Sequence, residues 1–240
     1  MKTIIVFPVF NEAENIHSYV SALIQELSDY SCEFLFVDDA STDNSFEILT
    51  TIANHAPNVI LYRNMVNQGH GATLLEGLHH SLNHNPDYIL SCDSDGIVHS
   101  SDFKSALLEM RSKNFQVLEG IRLTSSNDKI RNVVSAFSRY LVFFKSKSMP
   151  LDANTPFRGY TAKVLVDILS KIPSETVIPN IWVSIFVRKS RLNISFLHLH
   201  GGGALINAFG GSSWASNGLF ASRIKFLKFA WLSLKQAWYF

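Results

Sequence analysis

Phe34-Leu35-Phe36-Val37-Asp38-Asp39 is a short apolar run that ends abruptly in two carboxylates, and Tyr88–Cys92 followed by Asp93-Ser94-Asp95 repeats the pattern. Apolar runs of this length are typical of strands buried on both faces of a parallel sheet. The carboxyl ends of such strands line the ligand crevice of an open α/β sheet. Aspartates at strand ends also begin turns and cap helices, but two such pairs in one alternating pattern favour a ligand site.

An alternation of strands and helices surrounds both acidic pairs. Strands are predicted at Thr3–Phe7, Glu33–Val37, Val59–Tyr62, Tyr88–Cys92 and Val117–Ile121. Helices are predicted between them, at Ile16–Leu27, Ser45–Asn54, Ala72–Leu82 and Asp102–Lys113. This order predicts a mostly parallel sheet with helices on both faces. After Arg122 the chain changes character, and amphipathic helix is expected there rather than further α/β alternation.

Composition narrows the class of protein. The 240 residues carry 21 Lys plus Arg against 20 Asp plus Glu, a balance that argues against a nucleic-acid binder. Cys32 and Cys92 lie in apolar strand-like runs and are predicted to be buried free thiols in a reducing compartment. The chain starts directly with a strand and has no run of about 20 apolar residues, so neither a leader peptide nor a spanning helix is expected.

Four motifs follow one another at predicted strand ends: Phe7-Pro8-Val9-Phe10-Asn11-Glu12, Val37-Asp38-Asp39-Ala40-Ser41-Thr42-Asp43, Asn67-Gln68-Gly69-His70-Gly71-Ala72 and Asp93-Ser94-Asp95. In order and separation they resemble the motifs of family-two GT-A inverting glycosyltransferases. A fifth segment, Asp152–Tyr160, resembles a degraded Asp-x-x-Ser-Gly-Phe-Arg motif of the branch that contains dolichol-phosphate mannose synthase and polyprenyl-phosphate sugar transferases. The resemblance implies a GT-A, Rossmann-like fold with C-terminal amphipathic helices, a nucleotide-sugar donor, and Mg²⁺ or Mn²⁺ as cofactor.

The resemblance also implies roles for single residues. Those expected at the donor are Pro8, Phe10, Glu12, Val37, Asp39, Asp93 and Ser94. Asp93 and Asp95 would hold the metal, and Asp95 and Arg122 would be catalytic, with Arg122 matching an arginine that contacts the donor or acceptor phosphate. Asp38 is expected to brace the loop, and Arg131 and Arg158 are further candidates for a phosphate contact.

The loop from Asn67 to Gly71 precedes a helix but lacks the Lys-Ser/Thr of a P-loop. Gly69 and Gly71 are interpreted as turn and close-approach positions, and direct phosphate binding stays open. His70 and the pair His79-His80 invite a metal interpretation. His80 and His84 are one helical turn apart but have no nearby third ligand, so a solvated surface is favoured.

The class of acceptor is predicted from the absence of the family's general-base motif. A sugar hydroxyl must lose a proton as it attacks, so enzymes that use one carry a general-base carboxylate. The family's usual Glu-Asp pair is absent from Ile172–Trp182, which favours an already ionised polyprenyl phosphate. Asp152 and Glu175 remain candidate bases, and Ile97 and Thr155-Pro156 depart from the pattern of the synthases. A transferase acting on a glycan hydroxyl and a non-catalytic nucleotide-sugar-binding homologue stay open.

Two aromatic-rich stretches suggest a lipid partner. One contains Val133, Val134, Phe137, Tyr140, Leu141 and Phe144, flanked by Arg131, Arg139, Lys145 and Lys147. The other, Leu219–Phe240, segregates Trp231 and Trp238 from Lys225, Lys228 and Lys235, as an interfacial helix does. Packing on the domain or in a homodimer is the alternative. We expect a cytoplasmic protein peripheral to the membrane, with a donor half at 1–122, an acceptor half at 123–214 and a terminal helix at 215–240.

Overall fold

The computed structural model describes residues 1–112, 115–122, 129–173, 176 and 178–200. Its strands are β1 (Thr3–Val9), β2 (Cys32–Asp38), β3 (Val59–Arg63), β4 (Tyr88–Ser91), β5 (Val117–Arg122), β6 (Arg158–Thr161) and β7 (Ile194–Leu199). Its helices are α1 (Ile16–Glu26), α2 (Ser45–His55), α3 (His70–Leu82), α4 (Ser100–Ser112), α5 (Lys129–Ser146), α6 (Ala162–Leu169) and α7 (Pro179–Lys189).

The strands form one sheet in the order β3-β2-β1-β4-β6-β5-β7. The pairings of β1 with β2 and β4, of β2 with β3 and of β5 with β7 are parallel, whereas β6 runs antiparallel to β4 and β5. The five strands predicted from the sequence are confirmed. The expectation of no further α/β alternation after Arg122 is wrong, because β6 and β7 join the same sheet and α6 and α7 cover it.

The core lies on both faces of the sheet, which explains why its strands are continuously apolar. Successive residues of a strand point to opposite faces. Ile5 and Phe7 therefore pack on the face covered by α1 and α4, and Ile4 and Val6 on the face covered by α3, α6 and α7. Cys32 and Cys92 are buried free thiols, as predicted.

Helix α3 approaches the sheet closely at Gly77. A Cβ at this position would lie 2.5 Å from Val6 Cγ1 and 3.2 Å from Val37 Cγ2, so only glycine allows the observed packing. The close packing holds the first turn of α3 and the loop before it at the carboxyl ends of the neighbouring strands.

Helix α5 packs against α7 in a separate apolar cluster that includes Leu141, Val142, Ile181 and Ile185. None of the helices in the described residues is long and apolar enough to cross a bilayer.

Candidate active site

The sequence motifs meet at one edge of the sheet. Strands β1, β2, β4 and β5 run in the same direction, so the residues that follow them lie at the same side of the domain. This edge carries Glu12 after β1, Asp39 after β2, Asp93 and Asp95 after β4, and Arg122 at the end of β5. The arrangement is the ligand crevice expected for an open α/β sheet.

Asp38 braces the loop that follows β2, as predicted. Its carboxylate is fully buried and accepts a hydrogen bond from the Ser41 N–H at 3.1 Å. Arg63 Nε lies 3.3 Å from the same carboxylate, and the Arg63 guanidinium stacks over the Phe46 ring at 4.2 Å. The pair fixes β3 to the loop before α2.

Asp39 is also engaged with protein. Its Oδ1 accepts hydrogen bonds from Asn64 Nδ2 at 3.0 Å and the Gln68 N–H at 2.8 Å, and its Oδ2 accepts one from the Gly69 N–H at 2.8 Å. Only 2% of the residue is exposed. Gly69 has φ +88°, a conformation that strains residues with a Cβ, in keeping with its predicted turn position. Asp39, which the sequence analysis expected at the donor, therefore holds the loop before α3.

The Asp93-Ser94-Asp95 motif forms a tight turn against β1. Ser94 is buried, and its hydroxyl donates to the Pro8 carbonyl at 2.8 Å. Asp95 Oδ1 accepts from the Ile97 N–H at 3.1 Å across Gly96, which has φ +73°. His70 Nε2, at the start of α3, lies 3.4 Å from Asp93 Oδ1. Ser94 thus fixes the turn, and the two aspartates flank it.

The pKa of Glu12 reflects the negative charge of the neighbouring carboxylates at this edge. Burial, reinforced by the carboxylates of Asp95, Asp93 and Asp43, raises the pKa of Glu12 to about 7. A divalent cation would relieve this repulsion, and carboxylate oxygens are the ligands that Mg²⁺ and Mn²⁺ prefer. Within the described ranges, however, no three His, Cys, Asp or Glu side chains converge as a complete metal site. Asp93 and Asp95 offer two carboxylates of the kind that such a cation prefers.

Pro8, Phe10 and Val37 differ in what they expose. Phe10 is 45% exposed directly after β1, so its ring is available to a ligand. Val37 is fully buried among the residues that α3 covers, and Pro8 is buried beside it in the β1–β2 ladder. A contact from Val37 to a nucleoside would have to come from its main chain.

Arg122 is fixed by Asp152. Its Nε donates to Asp152 Oδ2 at 2.7 Å and its Nη2 to Asp152 Oδ1 at 3.1 Å, a bidentate pair, and Nη2 also donates to the Asn154 carbonyl at 3.2 Å. Burial lowers the pKa of Arg122, but the carboxylates of Asp152, Asp93 and Asp95 outweigh it and hold the pKa above its ordinary value. A permanent positive charge therefore lies at the carboxylate-rich edge.

The interpretation of Arg158 as a candidate for a phosphate contact is wrong, because Arg158 is fully buried. Its Nη2 lies 3.6 Å from Glu119 Oε1 and donates to the Ala153 carbonyl and the Ser184 hydroxyl. Arg188 pairs with the same Glu119 carboxylate, at 3.0 and 2.7 Å. This buried cluster joins α7 to β5 and β6, and losing Glu119 would leave two buried guanidinium groups without a counter-charge.

His200 was missed by the sequence analysis. It directly follows β7, which pairs in parallel with β5, so it lies at the same edge as Arg122. Asp102 is fully buried and accepts bonds from the His200 N–H at 3.2 Å and from Nδ1 at 2.7 Å. A carboxylate partner of this kind fixes the orientation and tautomer of an imidazole. The strand-like sequence Ile194–Leu199, followed directly by His200, was the signal that could have revealed this residue.

Several predicted residues lie outside the described residues. These are Glu175, the side chain of Arg131, and the whole of Leu219–Phe240 with its tryptophans and lysines.

Comparison with known proteins agrees with this geometry. The chain is 26% identical over 203 residues to an undecaprenyl-phosphate 4-deoxy-4-formamido-L-arabinose transferase of Sodalis glossinidius, covering 82% of this chain and 60% of the relative. It is 29% identical over 117 residues to the dolichyl-phosphate beta-glucosyltransferase ALG5C of Trichomonas vaginalis, covering 46% and 34%. The chain thus spans less than two thirds of the length of either relative.

A solved structure shares the fold. Glucosyl-3-phosphoglycerate synthase from Mycobacterium tuberculosis, in complex with Mn²⁺, uridine diphosphate and phosphoglyceric acid, superposes with a TM-score of 0.59 at 16% identity, covering 94% of this chain and 78% of that one. Residues 4–172 match the family described as glycosyl transferase family 2. With more than half of its length matched, and the family's motifs at one sheet edge, this chain belongs to glycosyl transferase family 2.

Proposed function

We propose that the protein is an inverting, metal-dependent glycosyltransferase that moves a sugar from a nucleotide-sugar to a polyprenyl phosphate. The carboxylate-rich edge supports the donor half of this proposal. Phe10 offers an exposed ring for the base, and the side chain of Asp93, which is 35% exposed after β4, is the group we propose for the ribose. Asp93 and Asp95 would hold Mg²⁺ or Mn²⁺, which when bound would stabilise the charge that develops on the departing nucleoside diphosphate.

The state of Asp152 is the observation that carries the choice of acceptor. Asp152 is the candidate base within the described residues, yet both its oxygens are engaged by Arg122. Oδ1 also accepts a hydrogen bond from the Asn154 N–H at 3.2 Å, so both oxygens of the carboxylate face protein donors rather than an acceptor hydroxyl. A phosphate acceptor needs no base, because it is already ionised. The names of the two relatives, an undecaprenyl-phosphate and a dolichyl-phosphate transferase, point to the same class of acceptor.

The reaction then needs positioning and charge from this chain. An oxygen of the acceptor phosphate attacks the anomeric carbon from the face opposite the nucleotide. The bond from that carbon to the diphosphate breaks, and its electron pair stays on the diphosphate. The guanidinium of Arg122, kept charged by its carboxylate neighbours, would draw the acceptor phosphate to the edge. Nη1, which takes no part in the bonds to Asp152 and Asn154, is the group we propose for this contact.

The test is a screen of nucleotide-sugars with polyprenyl phosphate in detergent, with and without Mn²⁺. Transfer is expected only with the cation, and Asp95→Ala is expected to abolish both turnover and cation-dependent donor binding while the protein stays folded. Asp167→Ala removes an exposed carboxylate from α6 and is the matched control. Unchanged activity in a folded Asp95→Ala variant would contradict the metal assignment.

Two other outcomes would favour the alternatives. Transfer to a glycan hydroxyl with polyprenyl phosphate inert would identify a polysaccharide-building enzyme. Donor binding without transfer to either acceptor would identify a non-catalytic homologue. The proposed location is peripheral, at the cytoplasmic face of the membrane that holds the acceptor.

A further inference from the structure

Helix α5 is apolar on two opposite sides. One side, with Leu141 and Val142, is buried against α7. On the other side Val133, Tyr140 and Phe144 recur at helical spacing and face solvent, with Tyr140 57% and Phe144 66% exposed. A helix on the surface of a globular domain normally turns polar residues outward. Exposed aromatic residues in a continuous stripe mark an interaction surface.

The turn after α5 extends this stripe. Arg139 Nε donates to the Pro150 carbonyl at 3.0 Å, which holds the turn beside the helix. Met149 and Leu151, on either side of Pro150, are 42% and 52% exposed. We call the exposed apolar set the α5 surface: it consists of Val133, Tyr140, Phe143, Phe144, Met149 and Leu151.

The charge of this segment is one-sided. Residues 129–151 contain five basic residues, namely Lys129, Arg131, Arg139, Lys145 and Lys147, and no Asp or Glu. The rest of the chain holds 16 Lys plus Arg, the 21 of the sequence less these five, against 20 Asp plus Glu. Among the residues whose side chains the structure describes, Arg139, Lys145 and Lys147 therefore accompany the exposed aromatic stripe with no acidic residue of the segment to offset them.

We propose that the α5 surface docks on an anionic lipid bilayer. Aromatic residues beside lysine and arginine are the composition of a helix that lies in a membrane interface. A second copy of the chain is disfavoured as the occupant, because a two-fold interface would bring the same positive patch of both copies together. A bilayer with anionic headgroups can bury the apolar side chains of the α5 surface and pair with the basic residues beside them.

The surface leads directly to the proposed acceptor edge. Leu151 is followed by Asp152, whose carboxylate holds Arg122 at the end of β5. A bilayer against the α5 surface would thus place its headgroups close to the arginine proposed to bind the acceptor phosphate. This inference rests on the proposed function for its purpose, but the docking itself can be measured without any sugar transfer.

The experiment uses the full chain and vesicles of phosphatidylcholine with or without phosphatidylglycerol. Cosedimentation is expected to depend on phosphatidylglycerol. Phe144→Ser should lower the partition coefficient about tenfold or more, since it removes a large apolar side chain from the interface. Lys145→Ala and Lys147→Ala should each lower it about fivefold, the value of one basic residue near an anionic surface.

Matched controls lie on α6, where Val166 and Lys163 are similarly exposed. Val166→Ser and Lys163→Ala should bind vesicles like the unmodified chain. If the Phe144 and lysine variants also bind unchanged, the α5 surface is not the docking element and the proposal is overturned. If the unmodified chain does not bind vesicles and is a dimer that Phe144→Ser converts to a monomer, the docking proposal is overturned in favour of self-association.

Transfer to polyprenyl phosphate in detergent separates this inference from the proposed function. The α5 variants should retain that activity, because they leave the carboxylate edge intact. Absence of transfer in the unmodified chain would contradict the proposed function while leaving the vesicle result to stand on its own.

Discussion

Replacing Asp39 by alanine tests whether this carboxylate serves the fold or the nucleoside. The side chain accepts three hydrogen bonds, from Asn64 Nδ2 and from the N–H groups of Gln68 and Gly69, at 2.8 to 3.0 Å. Hydrogen bonds to a charged group each contribute about 1.5–3 kcal/mol, and buried donors left without a partner add to the loss. Because water can enter the space that alanine leaves, we expect the free energy of unfolding to fall by about 3–5 kcal/mol.

Urea unfolding followed by circular dichroism measures this loss. Asp39→Asn should be intermediate, because its amide keeps one acceptor oxygen and turns an N–H toward the loop donors. Nucleoside diphosphate should be titrated against each variant well below its unfolding midpoint, so that only folded protein is compared. Asp167→Ala, on exposed α6, is the control and should unfold at the same urea concentration as the unmodified protein.

The opposite result would refute the reasoning. If Asp39→Ala unfolds at an unchanged urea concentration but binds nucleoside diphosphate about tenfold more weakly, the carboxylate contacts the nucleoside. A tenfold loss is the size expected for one buried hydrogen bond to a ligand. The loop before α3 would then need another support.

Two further predictions concern the charged groups of the same edge. Arg122→Ala should lower the free energy of unfolding by about 3 kcal/mol, because it leaves the nearly buried Asp152 carboxylate without its partner. The double variant Arg122→Ala/Asp152→Ala should recover part of that loss in thermal unfolding. Equal losses in the single and double variants would contradict this reasoning. Glu12 has a raised pKa, so the folded protein binds more protons than the unfolded chain between the ordinary glutamate value and about pH 7. The free energy of unfolding should therefore fall as the pH rises through that window, by about 1–2 kcal/mol after solvent screening. Glu12→Gln should remove this fall in a pH series of urea titrations. If the free energy of unfolding of this variant depends on pH as before, other groups cause the fall.

Local pattern was enough to predict the first half of the fold. The apolar runs of β1 to β5 are buried on both faces, so each reads as a strand without knowledge of its neighbours. The acidic turns after β2 and β4 stood out for the same reason: a strand that ends in carboxylates breaks its own hydrophobic pattern. Parallel direction then brings those ends together.

The second half could not be predicted in this way. Strand β6 has only four residues, Arg158–Thr161, and its sequence carries no strand pattern of its own. Its strand conformation depends on tertiary pairing, because it lies between β4 and β5 and pairs antiparallel with both. Glu119, an acid within the buried strand β5, was a signal of a buried partner, but only the packing of α7 shows that the partners are Arg158 and Arg188.

The sequence by itself determined the α/β alternation, the family motifs and the edge at which the carboxylates gather, because these depend on periodicity and strand direction. Only the tertiary structure decided which carboxylates are occupied by protein: Asp39 by the loop before α3, Asp152 by Arg122 and Asp102 by His200. It also decided which side of α5 is buried. The physical reason is that a side chain's partners are chosen by contacts between residues far apart in the chain, and these leave no mark on local spacing.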